Sequence, residues 1–382
     1  MKSGLPTTPG LTALLGLLTC PESARSLPLA AWDRVLPLAR AAGLLAVLEA
    51  RLSRDAMLEH VPDIVCGHLA SGAAAARQRR QMLVWEIVTV RQALAGLDAP
   101  IVLLKGAAYL AQGLAMSSGR YAADVDILVP KAALDSAERL LKDYGYEFQH
   151  IDAYDERYYR EWSHELPPFR LPGHPLELDL HHTITPVTGR LRPDPELLLA
   201  AAIRVCDATG GDAGERARFR GLHVLSRPDQ LLHSAVHLFH DSDLAVRLRE
   251  LVDVDGLVRE FGTEPGFWPA VVERAQRLGL GKPLGYALRY ARAWLGTPVP
   301  LGIEWPAPGS RPGRLALVTM DWMVPRALLP VDPAGDGRRG VALARALAYL
   351  RYHRLRMPLW RLIPHALHKV SRRHDPSRAA AS

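Results

Sequence analysis

The hydrophobic period of the chain switches near residue 98 and switches back near 186, and few folds accommodate that double switch. Before and after it, apolar residues recur every three or four positions, as on a helix with one buried face. Between the switches stand short runs rich in aliphatic and β-branched residues. "IVLLK" (101–105) and "DVDILV" (124–129) read as buried strands, the second stopped by Pro130. "GAAYLAQGLA" follows the first strand as a helix. "KAALDSAERLLKDYG" follows the second, closed by Gly145 as a C-cap. "YEFQH" reads as another strand, and "HELPPFRL" with "HPLELDLHH" reads as a hairpin about Pro172-Gly173. The expected class is α+β: a small mixed-sheet core flanked by N-terminal and C-terminal helical regions.

The flanks divide by composition. Residues 1–97 are expected to be helical, punctuated by Pro21, Pro28 and Pro62, with Met57, Met82 and Trp85 in their core. The α/β core takes 98–186. A helical domain takes 187–297, clearest over 227–261. Pro298, Pro300, Pro306, Pro308 and Pro312 mark 298–338 as a linker. Residues 339–382 read as a basic helical tail, broken near Pro358 and Pro364.

"GRYAADVDILVP" (119–130) carries the chemistry. In a strand, Asp124 and Asp126 project from one face while Val125 and Ile127 face the other way. Two carboxylates so placed repel and raise each other's pKa. Solvated acids at a strand end tolerate this, but a divalent cation removes the penalty, and Mg2+ is typically held by one or two carboxylates plus substrate phosphates. "LELDLHH" offers Glu177 and Asp179 at the same spacing. If that strand lies beside the first, three acids converge on one edge, which suits metal-dependent phosphoryl or nucleotidyl transfer.

"LLKGAAYL", "GRYAADVDILV" and "LELDLHH" together resemble the DNA polymerase beta-type nucleotidyltransferase superfamily, and more closely its bacterial branch of uncharacterised nucleotidyltransferase proteins. The likeness spans roughly residues 10–300. It implies a transfer of an NMP group from an NTP to a hydroxyl acceptor with release of pyrophosphate, dependent on Mg2+, or on Mn2+ in its place. It further implies that Asp124, Asp126 and Asp179 are catalytic metal ligands, with Asp179 favoured over Glu177 by the acid-x-His pattern at His181. Gly106 would admit the nucleotide phosphates, and Lys105 and Arg120 would each pair with a phosphate or with the aspartates. His237, Arg249 and Asp253 of the helical domain would close over the cleft. The turn here is Gly106-Ala107, where the wider superfamily has Gly-Ser. That departure keeps a second reading in play, a non-catalytic binding or regulatory module of the same fold.

Other chemistries find less support. "HSAVH" (233–237) has Ser234 where a zinc protease needs its glutamate. His240-Asp241 with Asp253 or Asp255 is the fragment of a metal phosphohydrolase pattern. Walker, dinucleotide and serine-hydrolase glycine motifs are missing from the sequence.

Three scattered cysteines, Cys20, Cys66 and Cys206, form no disulfide or metal pattern, so a cytoplasmic setting is expected. "LTALLGLLTC" (11–20) loosely resembles an export signal, but reads better as a short amphipathic helix. The net charge is +7, and residues 338–382 hold eleven Lys/Arg against one acid, Asp375, so the body of the chain is slightly acidic. The basic tail, with Tyr349, Tyr352 and Trp360, admits three expectations. It could lie on an anionic membrane surface as a peripheral contact, track a nucleic-acid backbone, or dock as a helix with its Leu, Trp and Ile packed inward.

Overall fold

The computed structural model describes residues 8–148, 153–207, 213–300, 302, 312–332 and 339–357. Four helices open it: α1 (Pro9–Thr19), α2 (Leu29–Ala41), α3 (Leu45–Arg54) and α4 (Asp63–Ala93). Thr8 caps α1, accepting from the Leu11 N–H, and Leu14, Leu17 and Leu18 are fully enclosed. The segment with the look of an export signal is therefore core in this structure. Met57 is buried as expected and Met82 is half-buried, but Trp85 is half-exposed and stacks on His174 with ring centroids 4.0 Å apart.

One mixed sheet forms the centre. Its strands are β1 (Val102–Leu103), β2 (Asp124–Leu128), β3 (Glu147–Phe148), β4 (Phe169–Arg170), β5 (Glu177–His181), β6 (Ile203–Arg204) and β7 (His223–Val224). Their order is β3-β4-β5-β2-β1-β7-β6. β1 runs antiparallel to β2, β5 runs parallel to β2, and β4 pairs antiparallel with β5 as the expected hairpin. Val125, Ile127, Leu178 and Leu180 are fully buried on the face opposite the acids. The long α4 packs over β2, α5 (Lys105–Ala111) and α6 (Leu134–Tyr144). Gly145 closes α6 in the left-handed region, at φ +112°.

Three stretches depart from the sequence reading. β6 and β7 lie beyond residue 186, so the sheet reaches into the stretch expected to be purely helical. Each is two residues long, too short to show any alternation. A helix, α7 (Ala153–Trp162), stands between β3 and β4. The range 298–338 holds helix α14 (Arg314–Leu328), preceded in the chain by α8 (Pro195–Ala200), α9 (Ala213–Arg218), α10 (Arg227–Phe239), α11 (Leu248–Phe261), α12 (Phe267–Arg277) and α13 (Gly281–Leu295). The proline cluster ends at Pro312. Beyond it Met320, Met323, Val324 and Leu328 are buried, which gives α14 a packed face despite Pro325 in its last turn.

α15 (Val341–Arg356) packs on α14 through Ala344 and Ala348. Its Leu343, Tyr349 and Leu350 are exposed. The inward face is thus built from small residues and long arginines, the reverse of the expected inward leucines. Residues 358–382 of the basic tail, with Trp360, lie outside the described residues. Among the described residues no helix is long and apolar enough to cross a membrane.

Candidate functional site

β2 and β5 are aligned so that Asp124 stands beside Glu177, Asp126 beside Asp179, and Leu128 beside His181. Parallel partners share a face, so the acids and His181 emerge on the same side of the sheet. Asp126, Asp179 and His181 each place a ligand atom within 4.8 Å of the others. Asp124, at the mouth of β2, lines the same cleft but falls outside that tight set. Glu177 does not line the cleft and lies 3.5 Å from Arg170, so the geometry favours Asp179 as the third carboxylate.

Lys105 ends β1 and begins α5 in the left-handed region, at φ +44°, a conformation costly for a side chain other than glycine, Asn or Asp. The strained turn puts its Nζ 2.7 Å from Asp126 Oδ1. His181 Nε2 reaches the same oxygen at 3.1 Å. Burial works against the Asp126 carboxylate, yet Lys105 and His181 hold its pKa well below the usual range. Asp124 is pushed up by Asp126 and by burial. Asp179 is pushed well above the usual range by burial first, then by Asp126 and Glu165, and its Oδ1 is buried without a hydrogen-bond partner. Lys105 pairs with Asp126 at 2.7 Å, while Asp124 feels Lys105, Arg120 and Arg249 without being brought down to the usual carboxylate range.

The loop ahead of β2 is held from both flanks. Arg79 on α4 donates to the Ala122 carbonyl at 2.7 Å and to the Ala123 carbonyl, while Arg249 on α11 donates to the Tyr121 carbonyl. Gly119, at φ +75°, lies so close to α3 that a Cβ would run into the Ala46 carbonyl. Arg120 does not point at the aspartates. Its Nε lies 3.1 and 3.0 Å from the two oxygens of Asp253, and its Nη2 lies 2.9 Å from Oδ2. A Cβ on Gly106 would run into this guanidinium, so the glycine makes room for Arg120 as well as lining the cleft.

The cleft has a volume of about 320 Å³. Besides the acids, Lys105 and Arg120, it is lined by His237, Arg247, Arg249 and Asp253 from the helical part. Burial, then Lys105, keeps His237 well below the usual histidine range and therefore neutral. Arg249 is partly depressed by burial and by Arg120. Lys105, Gly106, Arg120, Asp124, Asp126, Asp179, His237, Arg249 and Asp253 thus line one cavity, but Arg120 and Asp253 are consumed by each other.

His164, Glu165 and Arg356 line the cleft with no assigned role in that reading, and Asp241 figured there in the phosphohydrolase fragment alone. His164 and Glu165 come from the turn before the hairpin, Asp241 from the end of α10, and Arg356 from the last turn of α15. "HEL" showed only as the edge of a strand, and Arg356 only as one of many tail cations. Nothing local in sequence joins residues this far apart. The phosphohydrolase and protease patterns do not assemble. Asp255 is held by Arg51 at 3.3 Å and Arg259 at 2.9 Å, and His233, His237 and His240 join neither of the potential metal-binding sets among the described residues.

A family model described as "Uncharacterised nucleotidyltransferase" matches residues 28–296. The chain belongs to that family. The nucleotidyltransferase-family region thus runs from α2 through the whole sheet to α13 and leaves α1 outside. A search of the curated proteins found no match. Among solved structures, a chain titled "Crystal structure of JHP933 from Helicobacter pylori" aligns with 78% of this chain and 98% of its own at 14% identity, with a TM-score of 0.31. A likeness of that size carries no argument about this nucleotidyltransferase-family chain.

The family's chemistry calls for a divalent cation, and the residues present fit one. The partnerless buried Asp179 Oδ1 and the neighbouring Asp124 and Asp126 supply an oxygen-rich donor set of the kind Mg2+ prefers.

Proposed function

We propose that the chain moves an NMP group from an NTP to a hydroxyl acceptor, with Asp124, Asp126 and Asp179 holding Mg2+. The observation that carries this reading is the register of Asp126 beside Asp179, with Asp179 Oδ1 buried and without a partner. Mg2+ bound there would lower the pKa of the acceptor hydroxyl and offset charge on the phosphates. The acceptor oxygen forms a bond to Pα as the bond from Pα to the β-phosphate oxygen breaks, and pyrophosphate leaves. The acceptor's proton would go to the Asp179 carboxylate, which burial and its acidic neighbours make a stronger base than a solvated one. Lys105, Arg247 and Arg249 supply positive charge on the cleft wall for the triphosphate, and neutral His237 can accept or donate a hydrogen bond there. Gly106 and Ala107 offer no hydroxyl to the phosphates, which leaves that role to these cations.

Labelled NTPs incubated with the protein and a cell extract would show whether a small molecule, RNA or protein takes the label. Asp124→Asn and Asp126→Asn should abolish transfer. Undiminished transfer in both variants would place the chemistry elsewhere.

One observation favours a second reading. The Lys105 ammonium occupies Asp126 much as a resident cation would. A non-catalytic binding module of the same fold accounts for that, and for the missing hydroxyl. Calorimetry separates the two: NTP binding that requires Mg2+ and disappears in Asp124→Asn supports the enzyme, while no NTP binding supports the module. The basic tail as a contact for nucleic acid or an anionic membrane belongs with either reading. Its binding should weaken steeply with salt.

A further inference from the structure

Beneath the carboxylates lies a second group of ligand atoms with a different chemistry. His164, Glu165 and His181 bring one ligand atom each within 4.8 Å of the others. His164 Nε2 stands 3.5 Å from Glu165 Oε2 and 3.3 Å from Asp241 Oδ2. His181 Nδ1 stands 3.6 Å from Glu165 Oε2. These separations are longer than good hydrogen bonds. These three separations are close to the spacing of about 3.4 Å between neighbouring ligands around a tetrahedral cation with ligands at about 2.1 Å. His181 is 2% exposed, and its Nδ1 has no hydrogen-bond partner.

We propose that His164, Glu165 and His181 hold a transition-metal ion of the Zn2+ class, with Asp241 beside His164, distinct from a Mg2+ ion at the carboxylate site. The donor set decides the class: two imidazoles with a carboxylate suit Zn2+, Co2+ or Mn2+, whereas Mg2+ favours oxygen alone. His181 is the hinge between the two centres. Its Nε2 meets Asp126 Oδ1 at 3.1 Å while Nδ1 faces the proposed ion. This is the carboxylate–histidine–metal arrangement in which an outer carboxylate fixes the ring's tautomer and orientation. Asp241 meets His164 with one oxygen and Arg356 at 3.5 Å with the other, which ties the last turn of α15 to the site. The inference stands on these residues and does not require that nucleotidyl transfer occur.

The test uses the full chain, stripped with EDTA and dialysed against Co2+ with Mg2+ in large excess. Wild type should retain one equivalent of Co2+ and show the visible absorption of a tetrahedral ion. Losing a merely supporting partner weakens a metal site by about 10–100-fold. His164→Gln and Glu165→Gln should each exceed that loss, with folding checked by circular dichroism. The Glu165 side chain is 20% exposed, against 7% for His164, so the isosteric Glu165→Gln tests the site even if His164→Gln fails to fold. Asp124→Asn should keep the Co2+. Wild type that retains no Co2+ over Mg2+, or a folded Glu165→Gln that retains it as wild type does, overturns the proposal.

Discussion

Arg120 lies fork-to-fork on Asp253, joining the loop ahead of β2 to the middle of α11 with both side chains at least nine-tenths buried. Burial opposes the guanidinium's charge, yet Asp253 raises its pKa further from neutrality. The pair therefore acts as a fixed strut, and either half alone is an uncompensated buried charge. Asp253→Ala is expected to cost about 3–5 kcal/mol, and replacing both residues by apolar ones of similar size should cost much less. Urea unfolding of the two single variants and the double variant measures the coupling. Simple additivity would contradict the strut.

Lys105 makes a different prediction. Its ammonium neutralises Asp126, so Lys105→Met should lower stability in EDTA. Added Mg2+ should then restore more than it does in wild type, because a cation that binds only the folded state stabilises it by mass action. Melting curves with EDTA and with Mg2+ give the two increments. Equal increments in both proteins would mean that Lys105 and the cation do not share a place.

Acid should unfold the protein through buried neutral histidines. Burial lowers His233 to about 3 and His182 and His240 to about 4. Their folded pKa values lie below the unfolded value of about 6.5, so the unfolded chain binds protons that the folded one refuses. The stability is complete above about pH 6.5, falls as pH drops below it, and levels off once pH passes the shifted values. Each such histidine adds a slope of about 1.4 kcal/mol per pH unit. His233→Gln should flatten the acid limb of a stability–pH curve between pH 6 and 4 by about one histidine's share. An unchanged slope would show that His233 is protonated in the folded state.

Gly119→Ala tests how tightly the loop is seated. The left-handed backbone and the collision with the Ala46 carbonyl add, so the cost should exceed the roughly 1 kcal/mol of a simple conformational penalty. NTP affinity should fall with it, since Arg120 and the β2 acids follow directly. Chemical denaturation and calorimetry on the same variant read both effects.

Much of the centre was legible because the information is local. The i, i+2 spacing of Asp124 and Asp126 needs only a strand, and "LELD" repeats it. The hairpin is set by Pro172-Gly173, and α6 by its period and Gly145. The remainder depends on partners distant in the chain. Arg120 was open between phosphate and aspartate because Asp253 lies 133 residues on. His164 and Glu165 look like strand-edge residues until β5 brings His181 beside them. β6 and β7 are pairings two residues long that only the finished sheet stabilises. α15 misled because its arginines turn inward to carboxylate and carbonyl partners, leaving leucines outside.

Arg356 gives the cleft a consequence in time. A ribosome delivers both acidic strands and their lysine long before it reaches the last turn of α15. Until then the nascent chain holds its acids with Asp241 and His164 facing no guanidinium. Arg356 follows every other lining residue in the chain, so synthesis supplies the cleft's last cation after all of its acids.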